Sequence, residues 1–195
     1  AKEAAMHAGG QELPMHRGLY EPGVALGYAV DPAPGRHTAT LSGITELKAY
    51  GRFFTLKGLK LPGRYDYAAK GQAFGIIIPI IRAYDSLGLC HFALQMGEPP
   101  FLAWLNAATG WDFDEEEFLK VGRRIQIMRH AFNAREGLPM HFPLPARELG
   151  KPPQEVGPLA GVTLDLEAMV ANYFAAIGLD MAAKWPWPEL SDLIA

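Results

Sequence analysis

A chain of 195 residues, 49% hydrophobic and 20% charged, holds enough apolar material for one globular domain with its own core, which argues against disorder. Its net charge of -3 and the lack of any long basic run argue against capture of nucleic acid or an anionic membrane surface. A single cysteine, Cys90, cannot form an internal disulfide or hold a metal cluster by itself.

The chain opens on Ala1 rather than Met, as expected of a fragment, a processed chain or one trimmed for expression. Residues Ala1 to Gly10 are polar and small, unlike the apolar segment of a secretion signal. Through Pro22 the segment reads as irregular, punctuated by Gly9, Gly10, Pro14 and Gly18. Val24 to Val30 is apolar but too short to type as helix or strand. Asp31-Pro32-Ala33-Pro34-Gly35 is a loop, since its prolines lack donors and disfavour helix before them.

Thr38 to Tyr65 is mixed, and Pro62-Gly63 marks a turn. A helix is predicted from Tyr67 to Ala83, with Phe74, Ile77, Ile78 and Ile81 at three- and four-residue spacings and a kink at Pro79. Ile76 to Ile81, the longest apolar run, is far below the roughly 18 residues that span a bilayer. The chain therefore reads as soluble and cytoplasmic. Gly71 and Gly75 in the same helix read as packing positions, and Gly88 as its left-handed stop.

Pro99-Pro100 starts the next helix, which stops near Gly110. A longer helix follows, with Asp112 as cap, Glu115 as its capping-box partner and an acidic first turn suited to the helix dipole. Phe118, Val121, Ile125, Met128 and Phe132 form its expected apolar stripe, and Gly137 ends it. Leu138 to Pro158 holds six prolines and reads as an extended arm. A last helix runs from Asp165 to Ile177, and Trp185-Pro186-Trp187-Pro188 reads as a proline-pinned cover. The fold class is all-α: one multihelical domain over 1–195 with long irregular Pro/Gly-rich connections and an irregular lead-in over 1–10.

Asp85-Ser86-Leu87-Gly88-Leu89-Cys90 carries most of the chemistry. It is a helix end handing over to a tight turn, so a carboxylate and a thiol are expected on one pocket. Asp85 can accept from the N–H groups of a pterin-like heterocycle, and Cys90 is a soft ligand suited to an iron–sulfur cluster. By spacing alone, a lone cysteine beside leucines is a buried hydrophobe and a terminal aspartate a cap. His37, after the rigid Pro34-Gly35 loop, is a candidate proton carrier, since imidazole titrates near neutrality; the plain reading is a surface loop histidine. His130 reads as structural, and His7, His16 and His141 lack metal-ligand spacing. The acidic run Asp112 to Glu117 is a helix start, not a calcium loop.

Asp85-x-x-Gly88-Leu89-Cys90 resembles the pterin- and cluster-binding motif of the tungsten-containing aldehyde ferredoxin oxidoreductases. Further stretches resemble that family's C-terminal signature in order: Leu105 to Asp112, Gly122-Arg123-Arg124-Ile125, Arg129 to Gly137, and Leu144-Pro145-Ala146-Arg147. Upstream, Glu12-Leu13-Pro14-Met15-His16 and Ala25-Leu26-Gly27-Tyr28-Ala29 also fit, so the likeness covers roughly residues 5 to 190. The resemblance implies a second helical domain closing over a tungsten (or molybdenum) bis-pyranopterin and a [4Fe-4S] cluster, both shared with missing N-terminal domains. It implies that Asp85, Leu89, Cys90 and His91 line one pterin and that Cys90 is the fourth cluster ligand. It places His37 near the metal. The implied reaction turns an aldehyde into a carboxylic acid with electrons passing to ferredoxin. A homodimer is compatible with it, and the isolated chain is expected to be inactive.

The sequence departs from the family in the loop before His37. Basic residues expected at positions 33 and 39 are alanines, leaving Arg36 as the substitute against a pterin phosphate. Two rival readings stay open: an aryl-CoA reductase subunit of the same superfamily, and a non-catalytic helical interaction domain that has lost its cofactor. A histidine-based hydrolase lacks any nucleophile motif and ranks last.

Overall fold

The computed structural model describes residues 4–40, 62–90, 93 and 100–182. In chain order it contains strands β1 (His7–Ala8) and β2 (Gln11–Glu12), then helices α1 (Pro22–Val30), α2 (His37–Thr40), α3 (Tyr67–Ser86), α4 (Phe101–Thr109), α5 (Glu115–Arg135) and α6 (Leu166–Ile177). The all-α expectation holds, with one small addition. Gly9 and Gly10, at φ 56° and 85°, turn the expected irregular lead-in into an antiparallel hairpin pairing His7 with Glu12.

The short apolar segment at Val24–Val30 is helical, with Pro22 in its first turn and all nine residues of α1 buried. A helix buried on every side has no amphipathic stripe, so its period is invisible in the sequence. α3 is the central element and packs against both α5 and α6. It outlasts the predicted end at Ala83 by three residues and continues through Pro79.

Close approach explains the glycines. A Cβ at Gly71 would stand 2.1 Å from the Met169 carbonyl oxygen of α6, and one at Gly75 2.6 Å from Ala176 Cβ. On α5, a Cβ at Gly122 would lie 1.8 Å from the Pro79 carbonyl oxygen of α3. Backbone thus meets backbone at these crossings, which only glycine permits. Phe74, Ile77, Ile78 and Ile81 of α3 fill the space left over, against Met169, Val170, Tyr173 and Phe174 of α6.

Two expectations for α5 need correction. Its cap is Asp114, whose side chain accepts from Glu117 N at 2.8 Å, not Asp112. Asn106 explains the shift: its side chain accepts from Phe113 N at 3.0 Å and donates to Phe113 O at 2.8 Å, holding that backbone outside the helix. The buried face is also rotated from the expected stripe. Phe118 is buried, but Met128 and Phe132 are 48% and 56% exposed, while Gln126, Ile127, His130 and Asn133 point inward. Several of the inward positions are polar, so a reading that follows apolar residues alone misplaces the face.

The proline-rich arm is non-helical as predicted. It runs along α1, where Phe142 N donates to Ala29 O at 2.8 Å, and buries Phe142 and Leu144. The predicted Trp-Pro cover at 185–188 lies outside the described residues.

Candidate functional site

The last turn of α3 positions Asp85, and the following turn positions Leu89 and Cys90. Gly88 N donates to Asp85 O at 3.0 Å, and Gly88 takes φ 70°, a left-handed conformation that reverses the chain without a side-chain clash. The buried Tyr84 fixes what comes next: its hydroxyl donates to Cys90 O at 3.1 Å. Burial raises the Tyr84 phenol above its ordinary range, and the nearby Cys90 and Asp85 add to the effect. The hydroxyl therefore keeps its proton and its role as donor.

The thiol is exposed, contrary to the plain reading of a buried hydrophobe. Leu89 is 36% exposed and Asp85 about 31%, so all three stand on an outer edge. His91 lies outside the described residues.

Behind Asp85 lies a buried ionic cluster that the sequence reading did not find. Arg82 spreads its guanidinium across three partners: Nη1 donates to Asp85 Oδ2 at 2.9 Å, Nη2 to Asp31 Oδ2 at 2.7 Å, and Nε to Gln126 Oε1 at 2.8 Å. Asp31, fully buried, also accepts from Arg129 at 2.8 and 3.0 Å and from Ala33 N at 2.8 Å. Burial lowers the Arg82 pKa from its ordinary value and Asp31 opposes it, leaving an ion pair in the interior. Gln126 connects this cluster to Tyr173, donating to its hydroxyl at 2.8 Å, and to His130 at 3.2 Å. Burial drives the His130 pKa down to about 3, so its imidazole is neutral and structural, as expected.

His37 begins the one-turn helix α2 instead of sitting in an open loop. Its ring stacks on His16, with centroids 4.2 Å apart and planes inclined by 29°. The buried Tyr28 donates to His16 O at 2.9 Å and ties that partner to α1. Partial burial lowers the His37 pKa and proximity to His16 lowers it further. An open hollow of about 410 Å³ is lined by Glu12, Pro14, Met15, Arg36 and His37. Beside it, a second of about 300 Å³ is lined by His16, Arg17, Arg147 and Glu148. Glu148 accepts from Gly18 N at 2.5 Å, and burial raises its carboxyl above the ordinary range. Sequence spacing gave no sign of the His16–His37 pair, because the two are 21 positions apart. Of the alanines at 33 and 39, Ala33 lends its backbone N–H to Asp31, while the side chain of Ala39 is outside the described set.

Among the described residues, no group of three or more His, Cys, Asp or Glu could hold a metal ion, and no helix is long and apolar enough to cross a membrane. One exposed thiol, one half-buried carboxylate and a pinned turn backbone fit a group gripped jointly with another polypeptide surface. They do not fit one enclosed by this chain alone.

The family described as aldehyde ferredoxin oxidoreductase, domains 2 and 3, matches residues 1–192. The tungsten-containing aldehyde ferredoxin oxidoreductase of Pyrococcus furiosus is 31% identical over 185 residues, covering 93% of this chain and 29% of the relative. Its namesakes from Pyrococcus abyssi and Thermococcus kodakarensis are 30% and 29% identical, covering 94% and 93% of this chain and 29% of each relative. The chain thus spans under a third of the length of the curated relatives it matches.

Proposed function

Because the chain belongs to the aldehyde ferredoxin oxidoreductase family, we propose that it forms the C-terminal, cofactor-closing part of an enzyme oxidising aldehydes to carboxylic acids. The observation that carries this reading is the exposed edge at the end of α3, where Asp85, Leu89 and Cys90 stand together. Within the enzyme, a tungsten (or molybdenum) bis-pyranopterin and a [4Fe-4S] cluster would supply the two-electron redox chemistry when bound.

This chain's residues take defined parts. Asp85 accepts hydrogen bonds from pterin N–H groups, and the Leu89 backbone frames the same ring. Cys90 gives its thiolate as one cluster ligand, the other three coming from the N-terminal domains. Tyr84, through its bond to Cys90 O, holds the thiol's backbone in place. His37, kept neutral at physiological pH by its lowered pKa, accepts a proton as water oxygen adds to the aldehyde carbonyl. Arg36 offers its guanidinium to a pterin phosphate. The overall change is aldehyde plus water to carboxylic acid, with two protons and two electrons released, the electrons passing to ferredoxin.

Cys90→Ala in the full-length enzyme tests the reading. We expect less iron per folded protein and less aldehyde oxidation, since one of four cluster ligands is gone. Full iron content with normal turnover would refute it.

A further inference from the structure

We propose that Arg82 is a positioning residue: held by Asp31 and Gln126, it fixes the carboxylate of Asp85 in the orientation that receives the pterin. The inference rests on the reading above that Asp85 holds a pterin, and goes beyond it by assigning residues away from the family motif.

An Arg–Asp pair three residues apart on an exposed helix is weak and mobile. This pair is different, because Arg82 is almost fully buried and its three nitrogens bind three different partners. Gln126 comes from α5, Asp31 from the loop after α1, and Asp85 from the last turn of α3. A planar fork held on two sides by buried groups cannot rotate to follow the third. The third partner follows it instead, so Asp85 takes its direction from the core.

The anchors are themselves fixed. Both oxygens of Asp31 accept from Arg129, and Oδ1 also accepts from Ala33 N. Asn133 donates to Pro32 O at 2.8 Å and holds the same loop. Gln126 is tied to Tyr173 and to Arg129. Two aspartates balance two arginines, so the cluster needs no outside counter-charge. The contacts that join α3, α5 and the loop run among Arg82, Asp31, Arg129 and Gln126. The arm to Asp85 completes the charge balance and carries the junction's geometry to the exposed edge. A ligand with adjacent N–H donors then meets a carboxylate ordered in advance, which lowers the cost of binding.

The test uses the full-length enzyme and measures pterin released per mole of folded protein, tungsten content and thermal midpoint. Asp85→Asn should lose pterin. Arg82→Lys keeps the charge but loses the fork, and should lower retained pterin on the order of ten-fold, as removal of supporting partners commonly does. Added to Asp85→Asn, it should cause no further loss, because it acts through that carboxylate. Gln126→Met removes one anchor without changing any charge. It should lower pterin retention in the same direction and carries the test if Arg82→Lys fails to fold. Arg82→Lys or Gln126→Met with full pterin, while Asp85→Asn loses it, would overturn this inference alone. So would further loss in the double variant. Full pterin in Asp85→Asn would overturn the underlying reading of the site, and this inference with it.

Discussion

Replacing Gly122 with alanine tests the central crossing of the fold. On an exposed helix the change stabilises, by about 1 kcal/mol, because alanine is the better helix former. Here the new methyl would stand 1.8 Å from the Pro79 carbonyl oxygen and 2.5 Å from its carbon. Ordinary contact begins near 3.4 Å, so α5 and α3 must part by about 1.6 Å. Neither atom can yield, since both belong to the α3 backbone. The Arg82–Gln126 bond spans the same two helices at 2.8 Å, and separation on that scale breaks it. Overpacking costs about 1–3 kcal/mol, and losing a buried hydrogen bond to a charged group about 1.5–3 kcal/mol. Set against the propensity gain, the net loss is about 3 kcal/mol, or a fall in thermal midpoint of about 6–12 °C for a chain of this size. Equilibrium urea unfolding followed by circular dichroism measures the change. A midpoint that rises, as for an exposed helical glycine, would refute the close crossing and the geometry of the cluster beside it.

Four further changes probe the charged interior, an exposed ion pair and the imidazole pair. His130 has a folded pKa of about 3 against 6.5 for the free group, so the unfolded chain binds more protons between those values. Its contribution is full above pH 6.5 and declines as pH falls toward 3. His130→Gln should flatten the stability profile in that window, and an unchanged slope would count against burial of the neutral ring. Asp31→Asn leaves Arg82 and Arg129 without their shared counter-charge and should cost about 3–5 kcal/mol. Lys120→Ala removes only exposed contacts to Glu116 and Glu117 and should leave the urea midpoint unmoved. His16→Phe keeps a ring over His37 but removes the neighbouring imidazole. The His37 pKa, followed by proton NMR, should rise only partway to its ordinary value, because desolvation is the larger cause of its depression. No change would mean the rings do not interact in solution.

Local rules read the helices well where a cap or an apolar period carried the signal. α6 begins at its Asp165 cap and ends at Gly178, and Gly71 and Gly75 lie on a helix crossing, as their spacing suggests. The rules fail where burial is not apolar. α1 has no polar face to give it a period, and α5 turns Gln126, His130 and Asn133 inward because Arg82, Tyr173 and Pro32 O are there to receive them. The exposed end of the proposed site offered a motif to the sequence reading because Asp85, Gly88, Leu89 and Cys90 are nearly consecutive. Its support was not, because Asp31, Arg82 and Arg129 are 51 and 98 positions from one another's contacts and meet only after three elements pack. An arginine among isoleucines at 80 and 81 was the one local clue, since a cation on an apolar helix face needs a buried partner. The same property that hides such a cluster from sequence reading suits it to its task. Residues drawn from distant segments hold their positions only when the whole domain is folded, so Asp85 is aimed only in a chain whose core is already assembled.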